Sequence, residues 1–187
     1  MKLRAQRRLV RIWSAACSSG QEPYTLAMTL AEQKAALADW TIEILATDLS
    51  NEILERAQAG LYSQFEVQRG LPIQLLVKYF KQQGDRWQID GGLRARVRFK
   101  QFNLLDDPAM LGGFDVIFCR NVLIYFDQPT KSQVLDRLAR VLAPDGFLYL
   151  GGAETVLGLS DRFQPVPENR GIYAPAAAMA QPQRAVG

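Results

Sequence analysis

Two acidic side chains lie at positions where an α/β protein can bind a nucleoside. Glu22 follows Ser18-Ser19-Gly20 at the start of a predicted helix, and Asp48 follows the next predicted strand. Glu22 could accept hydrogen bonds from a cationic amine, although a helix dipole also favours an acid in the first turn for no other purpose. A carboxylate in the position of Asp48 accepts hydrogen bonds from both ribose hydroxyls in nucleotide-binding α/β folds. An ordinary turn residue is the alternative for Asp48.

The segment after the first predicted strand does not resemble a phosphate-binding loop. Gly20 is its only glycine, so the three spaced glycines of a dinucleotide-binding turn and the Gly-Lys-Ser/Thr of a P-loop are both missing. Two carboxylates without a phosphate cradle favour a nucleoside with a cationic, amino-acid-like tail. The sequence therefore predicts S-adenosylmethionine as the cofactor.

The composition excludes several kinds of chemistry. The 187 residues include no histidine, which excludes Ser-His-Asp and Cys-His catalysis and histidine-ligated metals. Cys17 and Cys119 lie far apart in apolar, strand-like segments, which favours buried, unreactive thiols over a disulfide framework or a zinc site. We therefore expect no metal.

Hydropathy and charge indicate the environment of the chain. Hydrophobic residues make up 48% of it, charged residues 22%, and no apolar run approaches the length of a membrane-spanning helix. The net charge of +3 is too mild to imply nucleic-acid binding without a concentrated patch. We expect a soluble, cytoplasmic protein that neither binds nucleic acid nor inserts into a membrane.

One concentrated basic segment does occur near the middle of the chain. Its basic residues alternate with apolar ones: Arg94, Arg96, Arg98 and Lys100. A period of two places all four on one face of a strand, where they could hold an acidic partner. A charged edge strand that only blocks aggregation is the alternative.

Alternating strands and helices position these side chains. The predicted strands are residues 9–17, 41–47, 114–119 and 147–150, and the predicted helices are residues 22–38, 51–59, 71–80 and 128–142. This order predicts an α/β fold with a doubly wound, mostly parallel sheet. Such sheets bind ligands at the carboxyl ends of their strands.

The remaining segments complete the predicted organisation. We expect residues 1–8 to be a basic arm or the remnant of a missing N-terminal domain, residues 9–175 the α/β domain, and residues 176–187 a disordered tail. A small β-subdomain is inserted at about residues 81–102, with a hairpin over 86–102 that turns near Asp90-Gly91-Gly92. Residues 163–166 and 171–174 predict a C-terminal antiparallel hairpin.

Four segments together resemble a known family, the chemotaxis-receptor glutamate O-methyltransferases (CheR-like). They are WSAACSSGQEPY at 13–24, ATDL at 46–49, NLL at 103–105 and FDVIFCRNVLIYFD at 114–127. The resemblance extends from about Val10 to Ala174 and implies the Rossmann-like fold of class I S-adenosylmethionine-dependent methyltransferases. Family members also carry an N-terminal helical domain, which we expect to be missing from these 187 residues.

The resemblance implies roles for individual residues. Glu22 would hold the methionine amino group of the cofactor and Asp48 its ribose. The other implied cofactor-binding residues are Asn103 and Leu104 on the adenine side, and Asn121 and Val122 near the sulfonium. Tyr125 would line the substrate side, and with Arg120 it is our catalytic candidate. Core packing is the alternative for several apolar residues of the 122–126 segment.

The implied reaction is methyl transfer to glutamate side chains in the cytoplasmic signalling helices of chemotaxis receptors, which yields methyl esters and S-adenosylhomocysteine. A glutamate with a pKa of about 4.3 is already ionised at neutral pH, so this signal-transduction reaction needs no general base. The face with Arg94, Arg96 and Arg98 is the candidate contact for these acidic helices. The short insertion favours recognition without a receptor's C-terminal tether.

Two other functions remain open from the sequence. One is a sensor or scaffold module that binds S-adenosylmethionine and S-adenosylhomocysteine with little activity. This follows from the expectation that the family's N-terminal domain, whose arginine completes the site, is missing here. The other is a methyltransferase for a small molecule or RNA, which would need a substrate pocket or an aromatic and basic surface.

Overall fold

The computed structural model describes residues 6–176. The strands are β1 Leu9–Ala15, β2 Thr41–Asp48, β3 Leu61–Ser63, β4 Phe80–Gln83, β5 Arg86–Ile89, β6 Val97–Gln101, β7 Phe114–Cys119, β8 Leu142–Leu150, β9 Phe163–Pro165 and β10 Ile172–Pro175. The helices are α1 Gln21–Glu32, α2 Asn51–Ala59, α3 Gln64–Gln68, α4 Ile73–Tyr79, α5 Gly91–Arg94 and α6 Gln128–Val141. The first five residues of the predicted arm and the predicted tail from residue 177 lie outside the described residues.

The described chain divides into two compact units. The first unit comprises residues 6–9 and 17–102, and the second comprises residues 10–16 and 103–176. Within residues 6–176, seven strands form a sheet in the order β6-β2-β1-β7-β8-β10-β9, and three form an antiparallel sheet in the order β3-β5-β4. This confirms the predicted doubly wound α/β fold with a small β-subdomain. The subdomain also includes β3, which precedes the predicted insertion at about residues 81–102, whereas β6 within that range belongs to the larger sheet.

In the first unit, β2 and β6 pair in parallel, from Ile44 opposite Val97 to Asp48 opposite Gln101. Helix α2 has its predicted bounds because local signals fix both ends. The Ser50 hydroxyl accepts a hydrogen bond from the Ile53 N–H at 3.3 Å, and Gly60 ends the helix with a φ of 61°.

Helix α1 ends at Glu32, six residues before the predicted end near Ala38. Residues 33–39 form turns, in which the Trp40 N–H donates to the Leu37 carbonyl at 2.9 Å. Ala35 and Ala36 are exposed there. Because these small side chains have little to bury, no packing extends the helix.

The hairpin predicted over residues 86–102 is wrong. Strand β5 pairs instead with β4 and β3. The Asp90 carboxylate accepts hydrogen bonds from the Gly92 and Leu93 N–H groups, at 2.8 and 3.2 Å, and so caps α5. Asp90-Gly91-Gly92 therefore begins a helix, after which β6 joins the larger sheet.

In the second unit, β7 lies between β1 and β8 and is parallel to both. Trp13 and Phe114 pack with ring centroids 5.3 Å apart, and Ile117 and Leu148 are fully buried. The buried face of α6 consists of Val134, Leu135, Leu138 and Val141. Strands β9 and β10 pair antiparallel, which confirms the predicted C-terminal hairpin.

Strand β8 begins at Leu142, five residues before its predicted start. Pro144-Asp145-Gly146, whose residue types favour a turn, lies within the strand at an irregularity, where the register with β7 changes from Phe114–Leu142 to Val116–Phe147. A Cβ atom on Gly146 would lie 2.7 Å from the Asp115 carbonyl oxygen. Glycine is therefore required for this close backbone approach. No helix within residues 6–176 is both long enough and apolar enough to cross a bilayer.

Candidate cofactor and active site

The loop at residues 17–20 of the first unit is held by hydrogen bonds from several directions. The Cys17 N–H donates to the Thr47 carbonyl at 2.8 Å, and the Tyr62 hydroxyl donates to the Ser19 carbonyl at 2.8 Å. Ser18 adopts a left-handed φ of 51°, which is uncommon for a residue other than glycine. The surrounding bonds thus fix a loop conformation that its own sequence does not favour.

Gly20 permits α1 to begin directly after this loop. It has a φ of 90°, and a Cβ atom there would lie 3.0 Å from the Cβ of Ala57 and 3.2 Å from the Tyr62 hydroxyl. Glu22 lies in the first turn of α1 and is half-buried, as predicted from its position after Gly20.

Asp48 connects the end of β2 to the same loop. Its Oδ2 accepts a hydrogen bond from the Ser18 N–H at 2.8 Å, and its Oδ1 accepts one from the Ser50 N–H at 3.2 Å. An ionised carboxylate has about four acceptor sites, so these two bonds leave acceptor capacity on both oxygens. The side chain is half-buried and can offer this capacity to a ligand.

Burial makes Cys17 an unreactive neighbour of this loop. Cys17 and Cys119 are both buried, as predicted. Burial, with a smaller contribution from the charge of Asp48, raises the pKa of the Cys17 thiol from 9.0 to about 12. The thiol is therefore protonated at neutral pH and does not compete for an electrophile.

In the second unit, Asn103 organises a turn. Its side-chain oxygen accepts a hydrogen bond from the Leu105 N–H at 3.0 Å, and its carbonyl accepts one from the Asp106 N–H at 2.9 Å. Leu104 is half-buried and Leu105 is exposed, so apolar surface is available beside the polar turn. This arrangement suits the edge and face of an aromatic base.

The segment after β7 turns sharply at Asn121, whose φ is 58°. A short 3₁₀ helix over Leu123–Tyr125 follows, anchored by the buried Leu123. Tyr125 is 80% exposed and Arg120 is also exposed. Core packing therefore accounts for Leu123, while the two catalytic candidates are accessible.

Glu154 fixes this segment and was not predicted. Its side chain is 9% exposed and accepts four backbone hydrogen bonds. Oε1 accepts from Val122 at 2.9 Å and Leu123 at 2.8 Å, and Oε2 accepts from Asn121 at 2.8 Å and Gly151 at 2.7 Å. These donors compensate the buried negative charge. A glutamate just after an apolar strand was the only sequence signal for this role.

A cleft of about 770 Å³ lies beside this segment, within the second unit. It lies at the carboxyl ends of β7 and β8 and the beginning of β10. Its lining includes Phe118, Arg120, Tyr149, Gly151, Glu154 and Arg170.

The predicted basic face does not form. Arg94 is the last residue of α5 and donates from Nη1 to the Ala59 carbonyl at 3.2 Å, whereas Arg96 lies in the turn before β6. Arg98 and Lys100 alone lie on the strand. The period of two begins only at Val97, because Asp90 makes the preceding residues helical.

The strand order of the larger sheet is that of the class I S-adenosylmethionine-dependent methyltransferase fold. The sequence matches the family described as the CheR methyltransferase SAM-binding domain over residues 1–172. The chain belongs to this family, and S-adenosylmethionine is its cofactor, as predicted. Within residues 6–176, no group of three or more acidic or cysteine side chains is placed to hold a metal ion.

Curated relatives agree with this assignment. The chain is 44% identical over 167 residues to chemotaxis protein methyltransferase Cher2 of Pseudomonas putida and 46% identical over 167 residues to chemotaxis protein methyltransferase 1 of Pseudomonas aeruginosa. Each alignment covers 87% of this chain and 61% of the relative. The chain thus spans about three-fifths of the length of these relatives.

A solved structure supports the fold. A TehB-like SAM-dependent methyltransferase from Corynebacterium glutamicum superposes with a TM-score of 0.51 at 16% identity, covering 89% of this chain and 78% of that one.

Proposed function

We propose that this chain is the catalytic domain of a cytoplasmic enzyme that methylates glutamate side chains in the signalling helices of chemotaxis receptors. The observation that carries the proposal is the family match over residues 1–172. The relatives named as chemotaxis protein methyltransferases share 44–46% identity with it. Two loops in the matched region are expected to bind the cofactor, and hydrogen bonds to carboxylates hold both: Ser18 is bonded to Asp48, and Asn121 to Glu154.

The residues of the first unit fit the cofactor's polar groups. We assign Asp48 to the ribose hydroxyls, because both of its oxygens retain acceptor capacity. We assign Glu22 to the methionine amino group, for which a half-buried carboxylate is a suitable partner. Both roles require hydrogen-bond acceptors, which carboxylate oxygens supply.

The residues of the second unit fit the adenine and the sulfonium of the cofactor. Asn103 and Leu104 supply a polar turn and an apolar side chain for adenine. The Asn121 and Val122 N–H groups already donate to Glu154, so neither is available to a ligand and a cationic group needs no donor from them. We therefore assign these two residues to the surroundings of the sulfonium.

When bound, S-adenosylmethionine supplies an electrophilic methyl group. The receptor glutamate is ionised at neutral pH, which explains how the domain can act without a histidine base. Arg120 and Tyr125 are exposed donors that can orient the acceptor carboxylate. Orientation and exclusion of water are the catalytic tasks that remain for the protein.

Calorimetry with S-adenosylhomocysteine tests the cofactor site. Asp48→Ala removes the ribose acceptor and should weaken binding by roughly 1–3 kcal/mol, or about 5- to 150-fold. Asp85→Ala, which changes an exposed aspartate in the β4–β5 turn, is the matched control and should bind as the unmodified chain does. Equal affinity of the two variants, or no binding by the unmodified chain, would refute the site.

Transfer to the substrate is tested with radiolabelled cofactor and a receptor signalling fragment. Glutamate methyl esters release their label as methanol in base, so we expect base-labile label on the fragment. Cofactor binding with no transfer would favour the sensor or scaffold module instead, and base-stable or nucleic-acid label would favour another substrate.

A further inference from the structure

The cleft in the second unit has an unusual charge balance. It is lined by Arg120 and Arg170 together with one carboxylate, that of Glu154. Glu154 accepts four backbone N–H bonds of 2.7–2.9 Å, so its charge is compensated within the fold. The exposed Arg170 therefore places a positive charge at the cleft, which favours an anionic ligand.

The positive charge of the cleft argues against the cleft being the site of the cofactor. S-adenosylmethionine carries two cationic groups and one carboxylate, so its net charge is positive and the guanidinium of Arg170 favours a carboxylate ligand over it. A planar guanidinium instead matches a carboxylate, to which it can donate two parallel hydrogen bonds. The ligand class that fits is thus a carboxylate.

The cleft has room for a peptide segment. Its volume of about 770 Å³ exceeds what one glutamate side chain fills. Phe118 and Tyr149 stack with centroids 4.5 Å apart and supply an aromatic wall for aliphatic side chains. Gly152 is exposed, and a Cβ atom there would meet nothing within 4 Å, so a second backbone can approach.

We propose that this cleft receives an acidic segment of the methyl-accepting protein, with Arg170 as the residue that selects glutamate over glutamine. The inference rests on the proposed function and gives its substrate a binding surface in place of the Arg94, Arg96 and Arg98 face, which does not form. Arg170 lies just before β10 and is exposed, so it can contact a bound peptide without disturbing the core.

Fluorescence anisotropy with a labelled helical peptide that carries a glutamate pair tests the proposal. The protein is saturated with S-adenosylhomocysteine, and a peptide with glutamines in place of the glutamates is titrated in parallel. At low ionic strength we expect the glutamate peptide to bind about fivefold more tightly, a preference that Arg170→Gln abolishes. Arg140→Gln, which changes an exposed arginine of α6, should keep it.

The outcomes separate this proposal from the proposed function. Equal affinity for both peptides, no peptide binding, equal effects of the two arginine substitutions, or stronger competition by a single-stranded oligonucleotide than by the glutamate peptide would each overturn the cleft assignment. S-adenosylhomocysteine binding is measured on the same variants and should not change. Loss of cofactor binding by the unmodified chain would overturn the proposed function, whereas a preserved glutamate preference would still support the cleft.

Discussion

Replacing Glu154 by glutamine tests whether this buried carboxylate holds the Asn121–Leu123 segment in place. Each oxygen of Glu154 accepts two backbone N–H bonds. Glu154→Gln converts one oxygen into an NH₂ group, so whichever way the amide is oriented, two N–H groups lose their acceptor and face another donor.

The expected cost follows from these two lost bonds. A hydrogen bond to a charged group contributes roughly 1.5–3 kcal/mol, so the loss is roughly 3–6 kcal/mol of the free energy of unfolding. This is a large fraction of the roughly 5–15 kcal/mol that stabilises a typical domain. Because Asn121 and Val122 belong to the disturbed segment, affinity for S-adenosylhomocysteine should fall as well.

Urea unfolding followed by circular dichroism measures the stability, and calorimetry at low temperature measures the affinity of the molecules that remain folded. Glu55→Gln makes the same chemical change at an exposed site on α2 and should alter the free energy of unfolding by less than about 0.5 kcal/mol. A loss below about 1 kcal/mol for Glu154→Gln, with unchanged affinity, would show that the four bonds do not position the segment.

Three further predictions concern packing, pH and catalysis. Gly146→Ala places a Cβ atom 2.7 Å from a backbone carbonyl and should cost roughly 1–3 kcal/mol in urea unfolding; a neutral result would show that β8 can shift. Above pH 9 the Cys17 thiol ionises in the unfolded chain but stays protonated in the folded protein, where its pKa is about 12. The free energy of unfolding should therefore fall with rising pH, by up to about 1.4 kcal/mol per pH unit from this thiol, and more slowly in Cys17→Ala; identical slopes would contradict the assignment. Tyr125→Phe should lower methyl transfer about tenfold without changing S-adenosylhomocysteine affinity, because loss of the exposed hydroxyl removes one hydrogen bond that orients the acceptor carboxylate; unchanged transfer would remove Tyr125 from the site.

Sequence patterns with a local physical cause were predicted well. Strand β7 and helix α2 have their predicted bounds, because a continuous apolar run marks the first, and Ser50 and Gly60 mark the ends of the second. The positions of Glu22 and Asp48 after their strands were also predicted, because they depend only on the order of elements along the chain.

Errors occurred where one local pattern had two interpretations. Asp90-Gly91-Gly92 is equally compatible with a hairpin turn and with a capped helix start, and the pairing of β5 with β3 and β4 decides between them. The placement of Arg94 followed from that decision. Pro144-Asp145-Gly146 likewise indicates a turn, yet its residues enter β8 because β7 offers a parallel partner.

The sequence by itself determined the fold class and the positions of Glu22 and Asp48 after their strands, because both depend on residue types and short spacings. The tertiary structure alone decided that Glu154 binds the backbone of Asn121, Val122 and Leu123, which precede it by 33, 32 and 31 positions. It also decided that Arg120 and Arg170 line one cleft. These features depend on which strands become neighbours. Strand neighbourhood is set by the packing of the whole sheet, which no local pattern encodes.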